Sequence, residues 1–483
     1  MTFLPSLTTE YGQCRVRPSI LKGRWYEGTA QSLEHQVDTL LKKADSLGVK
    51  GDIRALISPH SGYNYSGLCA AHAYKTLEGR KYKRVIVLAP SHYGKFKGIS
   101  ILPVSHYETP LGLIEVDQEI AQGLLAHPLV ISDSESDLQE HSLEIQLPFL
   151  QRTLSNFLLV PLLIGQVRLS YGEYRFLAQK VNQYMDSQTL LVVSSDFTHY
   201  GPHFGYVPFD QNIPSRIQAL DSHALAKIEV LDFQGFLHYL ELSGTNPCGF
   251  QSIALLLQLL PEDFQGHRLH YVTSGKLSGN YHHSVSYASL VFTPDSSRLN
   301  SQERQILLSL ARETLEIYLR TGKIKEIEEK EGWTDKLKQK RGVFVTLEKG
   351  GKLRGCIGTV MSNKPLCESV RDNAINASVR DPRFSSISSG ELDEITLGIS
   401  ILSTLAPLTS LEDVQVGKHG LMIRKRDKSG LLLPKVAADY RWDRRTFLEN
   451  VCLKAELHPQ DWREGAEIYS FTAQAFREQT DKS

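Results

Sequence analysis

Arg84-Val-Ile-Val-Leu-Ala-Pro-Ser-His92 and Thr189-Leu-Leu-Val-Val-Ser-Ser-Asp-Phe-Thr-His199 decide how the first part of this chain folds. Each is a near-continuous apolar run of strand length that delivers a histidine just past its end. Strands apolar on both faces are covered on both sides, the pattern of a parallel sheet flanked by helices. A third run, Arg54-Ala-Leu-Ile-Ser-Pro-His60, closes the same way. Further strands are expected at Leu158–Ile164, His270–Thr273 and Ser284–Phe292. Helices are expected between them, such as Leu33–Ser46, Glu140–Leu154 and Phe250–Leu260. The reading is α/β, a largely parallel central sheet covered by helices. Chemistry in such sheets gathers beyond the C-terminal strand ends. That rule places His60, His92, Asp196 and His199 along one edge.

The chain has 483 residues, long enough for two or more cores. Lys+Arg and Asp+Glu are each 54, and a net charge of zero lacks the electrostatic footprint that nucleic-acid binding uses. A 41% hydrophobic, 22% charged composition is globular and argues against disorder. The apolar stretches Phe157–Gly165 and Ile253–Leu260 are too short to span a bilayer, and the N-terminus does not read as a secretory signal. The six cysteines form no C-x-x-C pair, so no disulfide framework or zinc ribbon is expected. A cytoplasmic protein is the expectation.

Histidine divides the sequence. Fifteen of the 17 lie before residue 298, leaving only His419 and His458 beyond it. Thr293-Pro-Asp-Ser-Ser-Arg-Leu-Asn300 is polar and ends in Asn300-Ser-Gln-Glu303, a capping box ahead of a helical pattern. Domains 1–297 and 298–483 follow. The second is read as smaller and α+β. Its strands are expected at Gly342–Glu348, Leu353–Thr359, Thr396–Ser403, Leu421–Lys425 and Glu467–Ala475, with a hairpin turn within Arg424–Gly430. Its helices are expected at 301–320, 365–379 and 444–455.

A lone histidine after a strand is ordinarily a hydrogen-bonded loop residue. Three at one topological position are brought together by the sheet edge. Cys248, in Gly244-Thr-Asn-Pro-Cys-Gly249, precedes an apolar helix whose N-terminus would lower a thiol pKa. By itself it reads as a small buried turn residue; beside the histidines it reads as a thiolate ligand. Two imidazoles and a thiolate suit iron, copper or zinc rather than magnesium or calcium. His141, in Glu140-His-Ser-Leu-Glu144, reads equally as part of a solvated helix start or as a group orienting a ligand or moving a proton. Helical spacing puts His141 and Glu144 on nearby faces. His282-His283 reads as surface rather than ligand.

These motifs, with Ser58-Pro-His-Ser-Gly-Tyr-Asn-Tyr-Ser-Gly67, Ala89-Pro-Ser-His92 and Glu140-His-Ser-Leu-Glu-Ile-Gln-Leu-Pro148, resemble the Memo family over roughly residues 5 to 295. The resemblance implies a fold similar to class III non-haem iron dioxygenases. It also implies a metal site of His60, His92 and Cys248, with Asp196 and His199 in the same pocket. A cysteine stands where a carboxylate would complete the facial triad of those enzymes. The family has also been described as binding phosphotyrosine peptides, a role for which no basic cluster is visible here.

In the second part, Arg354-Gly-Cys-Ile-Gly-Thr359 reads as a bulged core strand or as a backbone cradle with Arg354 for an anion. With Gly342-Val-Phe-Val-Thr-Leu347, Arg380-Asp-Pro-Arg-Phe384, His419-Gly-Leu and Gly430-Leu-Leu-Leu-Pro434, it resembles the AMMECR family over about 300–478. That resemblance marks Arg354, Cys356, Asn373, Arg380, Asp381 and His419 as pocket candidates. Arg380 and Asp381 read equally as a structural ion pair. Cys356, beside Arg354, is a candidate nucleophile. The fusion is similar to the AmmeMemoRadiSam arrangement, implying a radical-SAM protein partner, whose cysteine cluster this sequence lacks.

The expected function is a metal-dependent enzyme acting on a small organic substrate. Fe(II) is preferred in its site, with Cu(I) or Zn(II) as alternatives. His199 is the expected general acid/base, aided by Asp196, with His141 as orienting group or proton shuttle. Metal-assisted amide or lactam hydrolysis competes with oxidative chemistry. A non-catalytic metal- or peptide-binding adaptor for the radical-SAM partner competes with both.

Overall fold

Ala55–Ser58, Thr189–Ser194, Arg84–Pro90 and Leu158–Ile164 lie side by side in that order, every pair parallel. Ser194 stands opposite Ser58, Val193 opposite Leu88, and Pro90 opposite Ile164, so all four strands end at one edge. The computed structural model describes residues 9–11, 14–45, 48–49, 51–295, 297–327, 333–408, 410–411, 414–440 and 442–478. The chain divides into two compact units, Met1–Pro294 and Asp295–Ser483.

The parallel strands are dry on both faces, Val85 to Ala89 and Leu190 to Val193 being fully buried. On each flank the next strand is antiparallel. Ser284–Pro294 joins Ala55–Ser58 on one side, and Ile99–Ser100 joins Leu158–Ile164 on the other. The expected strand at His270–Thr273 begins earlier, at Phe264, and forms an antiparallel ribbon with Ser284–Pro294. Only the short helix Ser274–Ser278 links that ribbon, too little chain for a parallel crossover. Helix Ala30–Lys43 opens on a Thr29/Ser32 capping box and buries Leu33, Val37 and Leu41. Ser46, the expected end of this helix, lies outside the described residues. No helix among the described residues is long and apolar enough to cross a membrane.

The helix expected from Glu140 to Leu154 is interrupted. Ser134–Gln139 is helical, Glu140 is extended with ψ at 131°, and α-helix resumes only over Leu147–Thr153. Arg17 explains the break. Its guanidinium donates to the carbonyls of Asp137 (3.3 Å) and Glu140 (2.6 Å), oxygens that a continuing helix would have used. The Glu140 carboxylate meanwhile accepts the amides of His141 and Ser142, both at 2.9 Å. His141 and Glu144 therefore share no helical face, and each looks into a different environment.

Glu144 looks into the core. Its carboxylate accepts from Arg17 at 2.5 Å, Tyr26 Oη at 2.6 Å, Ser19 Oγ at 2.7 Å and the amides of Ile20 and Leu21. Burial alone would raise its pKa, but Arg17 and these donors lower it. Removing one partner of a buried pair strands the other charge.

The second unit carries two antiparallel four-stranded sheets. One runs Lys352–Thr359, Val343–Lys349, Ile395–Leu402, Ala473–Arg477; the other runs Ala406–Pro407, Glu467–Phe471, Gly420–Lys425, Lys428–Leu432. Helices Ser301–Thr321 and Leu366–Val379 share a core with the first sheet, and the Asn300/Glu303 capping box is formed. The expected strand Glu467–Ala475 is two strands, split at Thr472, each serving a different sheet. Gln474 on the second of them both donates to and accepts from the Leu299 backbone, at 2.7 and 2.8 Å. Arg426 and Asp427 turn the Gly420–Leu432 hairpin, Arg426 at φ 57°.

Replacing Glu144 by leucine should cost the first unit about 3–5 kcal/mol, because it leaves Arg17 buried without its counter-charge. Native-state hydrogen exchange at the Leu190–Val193 amides would measure the loss.

Candidate metal centre

The strand order puts Thr189–Ser194 between the strands leading to His60 and His92, so its last residue separates the two imidazoles. Ser194 Oγ donates to the Ser142 carbonyl at 2.6 Å and accepts from Gln146 Nε2 at 2.9 Å. The remaining contact of that hydroxyl is His60 Nδ1, at 2.9 Å. With its own proton committed, Ser194 is the acceptor and His60 carries its proton on Nδ1. His92 Nδ1 lies 2.9 Å from the ionised Glu140 carboxylate, which accepts only, so His92 takes the same tautomer. Both rings are thus anchored at Nδ1, with Nε2 on the opposite side of the ring from the anchor.

Cys248 Sγ sits 3.0 Å from His60 Nε2 and accepts the Asp196 amide at 3.2 Å. Gly249 permits this approach. A Cβ there would fall 2.5 Å from the Ser194 carbonyl oxygen, and the Gly249 amide donates to Ser195 Oγ. Ligand atoms of His60, His92 and Cys248 all lie within 4.8 Å of one another. Two imidazoles anchored at Nδ1 and one sulfur, each backed by a hydrogen bond, fit a borderline transition metal. His92, Glu140 and His141 form a second group of this spacing. There the Glu140 oxygens already accept four N–H groups, from His92 twice and from His141 and Ser142. That group holds ligands in place rather than a metal.

Burial, then His92, drives the His60 pKa well below its ordinary value. Burial and His60 bring His141 down to about 3. Burial opposes ionisation of Glu140, yet its hydrogen bond to His92 and the neighbouring imidazoles bring it to about 2. Cys248 departs from expectation. Burial and then the Asp196 carboxylate push its thiol well above the usual value. Helix Phe250–Leu259 begins two residues later, with Gly249 at its N-cap, so the helix end acts less on the thiol than burial does.

Asp196 is committed to scaffolding. Its oxygens accept the His60 amide at 2.8 Å and Ser61 Oγ at 2.6 Å, and it influences His199 through charge alone. His199 Nδ1 donates to the Phe197 carbonyl at 2.8 Å, leaving Nε2 as its basic nitrogen. His141 stacks on His92 at 4.5 Å and meets the half-buried Trp25 at 4.4 Å.

Sequence reasoning missed Ser194, Asn246 and the orienting role of Glu140. Asn246 accepts the His199 amide at 2.9 Å and donates to its carbonyl at 3.3 Å, tying the general-base candidate to the cysteine loop. The Asn-Pro-Cys run was the available signal, since Asn ahead of Pro marks a built turn.

In the second unit Cys356 and Asp381 come together. The Cys356 amide donates to Asp381 at 2.8 Å, and its sulfur lies 3.3 Å from Thr346 Oγ1. The ion pair of Asp381 is with Arg383, at 2.7 and 2.9 Å, and not with Arg380, whose guanidinium reaches Asn376. Arg383 holds that carboxyl below the usual range. The turn Asp381-Pro-Arg383, in which Asp381 accepts the Arg383 amide, carried the clue. Arg354 pairs with Glu391 and the Ser385 carbonyl, so its charge is already engaged. Asn373 is buried and donates to the Val343 carbonyl. His419 accepts the Gln415 amide, just ahead of the strand Gly420–Lys425.

Residues 17–291 match the family model described as Memo-like protein, and residues 308–476 match that of AMMECR1. The chain is similar to the memo-1 homolog of Caenorhabditis elegans, 35% identical over 55% of this chain and 79% of that protein. It is also similar to MEMO1 of Danio rerio, 33% identical over 55% of this chain and 93% of that one. An uncharacterized protein from Pyrococcus horikoshii, known from its crystal structure, is 36% identical over 38% of this chain and 94% of that one, with a TM-score of 0.36.

The imidazole shifts predict acid sensitivity. A histidine lowered from 6.5 to about 3, as His141 is, lets the unfolded chain take the proton first. Its stabilisation is complete above pH 6.5 and fades as pH falls toward 3. Glu140, lowered from 4.5 to about 2, adds a second loss below pH 4.5. Denaturation midpoints of chelator-treated protein should fall between pH 6.5 and 4.5, and His141→Gln should flatten that part of the profile.

Proposed function

The chain belongs to the Memo family and joins its Memo domain to an AMMECR1 domain, and from that premise we propose a metal-dependent enzyme acting on a small organic substrate. The observation that carries the reading is the convergence of His60, His92 and Cys248, both imidazoles fixed as Nδ1–H tautomers by Ser194 and Glu140. Fe(II) is our first candidate for the site, ahead of Cu(I) and Zn(II), because the donor set suits all three and the domain resembles non-haem iron dioxygenases. Bound there, the ion would supply Lewis acidity and an open position for water, oxygen or substrate.

The chain's own groups do the rest. His60 and His92 present Nε2 without rotating, since each ring is anchored at Nδ1. His199 offers Nε2 as the general base, its ring held by the Phe197 carbonyl and its backbone by Asn246. The Asp196 charge favours the proton that His199 would accept. His141, itself backed by Trp25, covers one face of His92 and limits the approach of water on that side. We assign the AMMECR1 domain, with Cys356 beside Asp381, to the same pathway, in association with a radical-SAM partner.

Metal content after anaerobic purification tests the proposal. Wild type should carry about one redox metal per chain, His60→Ala and Cys248→Ala almost none, and His199→Ala a normal load. Turnover found by screening small organic substrates should disappear in all three variants. Zinc in the wild-type site would direct the reading to hydrolysis. Equal metal in wild type, His60→Ala and Cys248→Ala would sink the centre.

A further inference from the structure

His282 and His283, unused by the centre, are exposed at the start of the strand Ser284–Pro294. That strand pairs antiparallel with His199–Tyr200, His199 opposite Val285 and Tyr200 opposite Ser284. Gly201 continues past the pairing at φ 134°, where a Cβ would fall 2.3 Å from the His282 carbonyl oxygen. Only glycine allows that close passage. It brings the Pro202–Phe204 turn against the His282-His283 segment. The rings of His203 and His283, both solvent-exposed, end 5.4 Å apart.

That spacing suits chelation. A metal–nitrogen bond of about 2.0–2.1 Å puts each ring centre about 3 Å from the ion, and tetrahedral geometry then separates two ring centres by about 5 Å. His60 and His92, the ligands proposed for the buried centre, stand 5.2 Å apart. Phe204 fixes the outer pair from behind. It stacks on His283 at 4.5 Å and sets its edge against His199 at 5.0 Å. His199 keeps Nε2 free and lies within electrostatic reach of His92.

We propose that His203 and His283 form an exposed two-imidazole site for a borderline transition-metal cation, which it captures and passes on to the buried centre. Imidazole is the ligand that copper, nickel and zinc share, and solvent completes the coordination of such a surface pair. Ligand exchange alone moves the ion, with no change in oxidation state. The passing-on rests on the proposed centre; capture does not.

Titration of the full-length Cys248→Ser/His60→Ala chain with Cu(II), followed by electron paramagnetic resonance, tests capture. The expected result is a site coupled to two nitrogens, lost on adding His203→Ala or His283→Ala and kept with His282→Ala. An undiminished signal in both the His203→Ala and His283→Ala chains overturns the site. Should the double variant fail to fold, the second equivalent of Cu(II) added to the chain with native inner ligands carries the same comparison. Co(II) uptake by that chain, read from its thiolate charge-transfer band, tests transfer. With metal limiting, His283→Ala should slow the band's growth severalfold and leave its final height unchanged. An unaltered rate overturns the transfer. The outer Cu(II) signal without any thiolate band would discard the centre and the transfer, and uphold capture.

Discussion

The Glu140 carboxylate, buried and accepting four N–H groups, binds together two loops that the sheet alone would leave independent. It grips the His92 loop by backbone and ring, and it closes its own turn through the His141 and Ser142 amides. Arg17 completes the arrangement from the other side, holding the Glu140 carbonyl and the Glu144 carboxylate with one guanidinium. A buried carboxylate is costly unless its lone pairs are satisfied, and both of these are. The N-terminal segment, the broken helix and the His92 strand end are thereby interdependent. A fault in any of them would be felt at the imidazole.

The parts of this design legible in sequence were those with a repeating or positional signature. Val85 to Ala89 and Leu190 to Val193 announced themselves because strands covered on both faces need unbroken apolar runs. Their histidines followed from where such strands end. The helix Tyr63–Lys75 was not legible for a related reason. Its buried side includes Ser66 and His72 while its exposed side carries Tyr65 and Leu68, so no polar–apolar alternation marks the period. The break at Glu140 depends on Arg17, more than a hundred positions earlier, and no local pattern encodes such a contact. The same holds for the tautomers, which need Ser194 and Glu140 placed in space.

The second unit repeats the lesson at smaller scale. Its capping box at Asn300 was readable because the two residues involved are three apart. The switch of sheets at Thr472 was not, since Glu467 to Ala475 alternates like one strand. Arg380 and Asp381 are adjacent in sequence, yet side chains of neighbours diverge along the backbone. Arg383 reaches Asp381 because the proline between them turns the chain back.

Gln474 clasps the backbone of Leu299, and its strand supplies the edge of the sheet built on Ile395–Leu402. The two ends of this unit's fold are therefore joined to each other. A nascent chain emerges from the ribosome in order, and its N-terminal domain folds first. The strands and helices of the Memo domain have all been made by residue 294, so it can close while synthesis continues. The unit behind it must keep an open sheet edge until residue 477 is translated, so translation itself sets the order in which the two become complete.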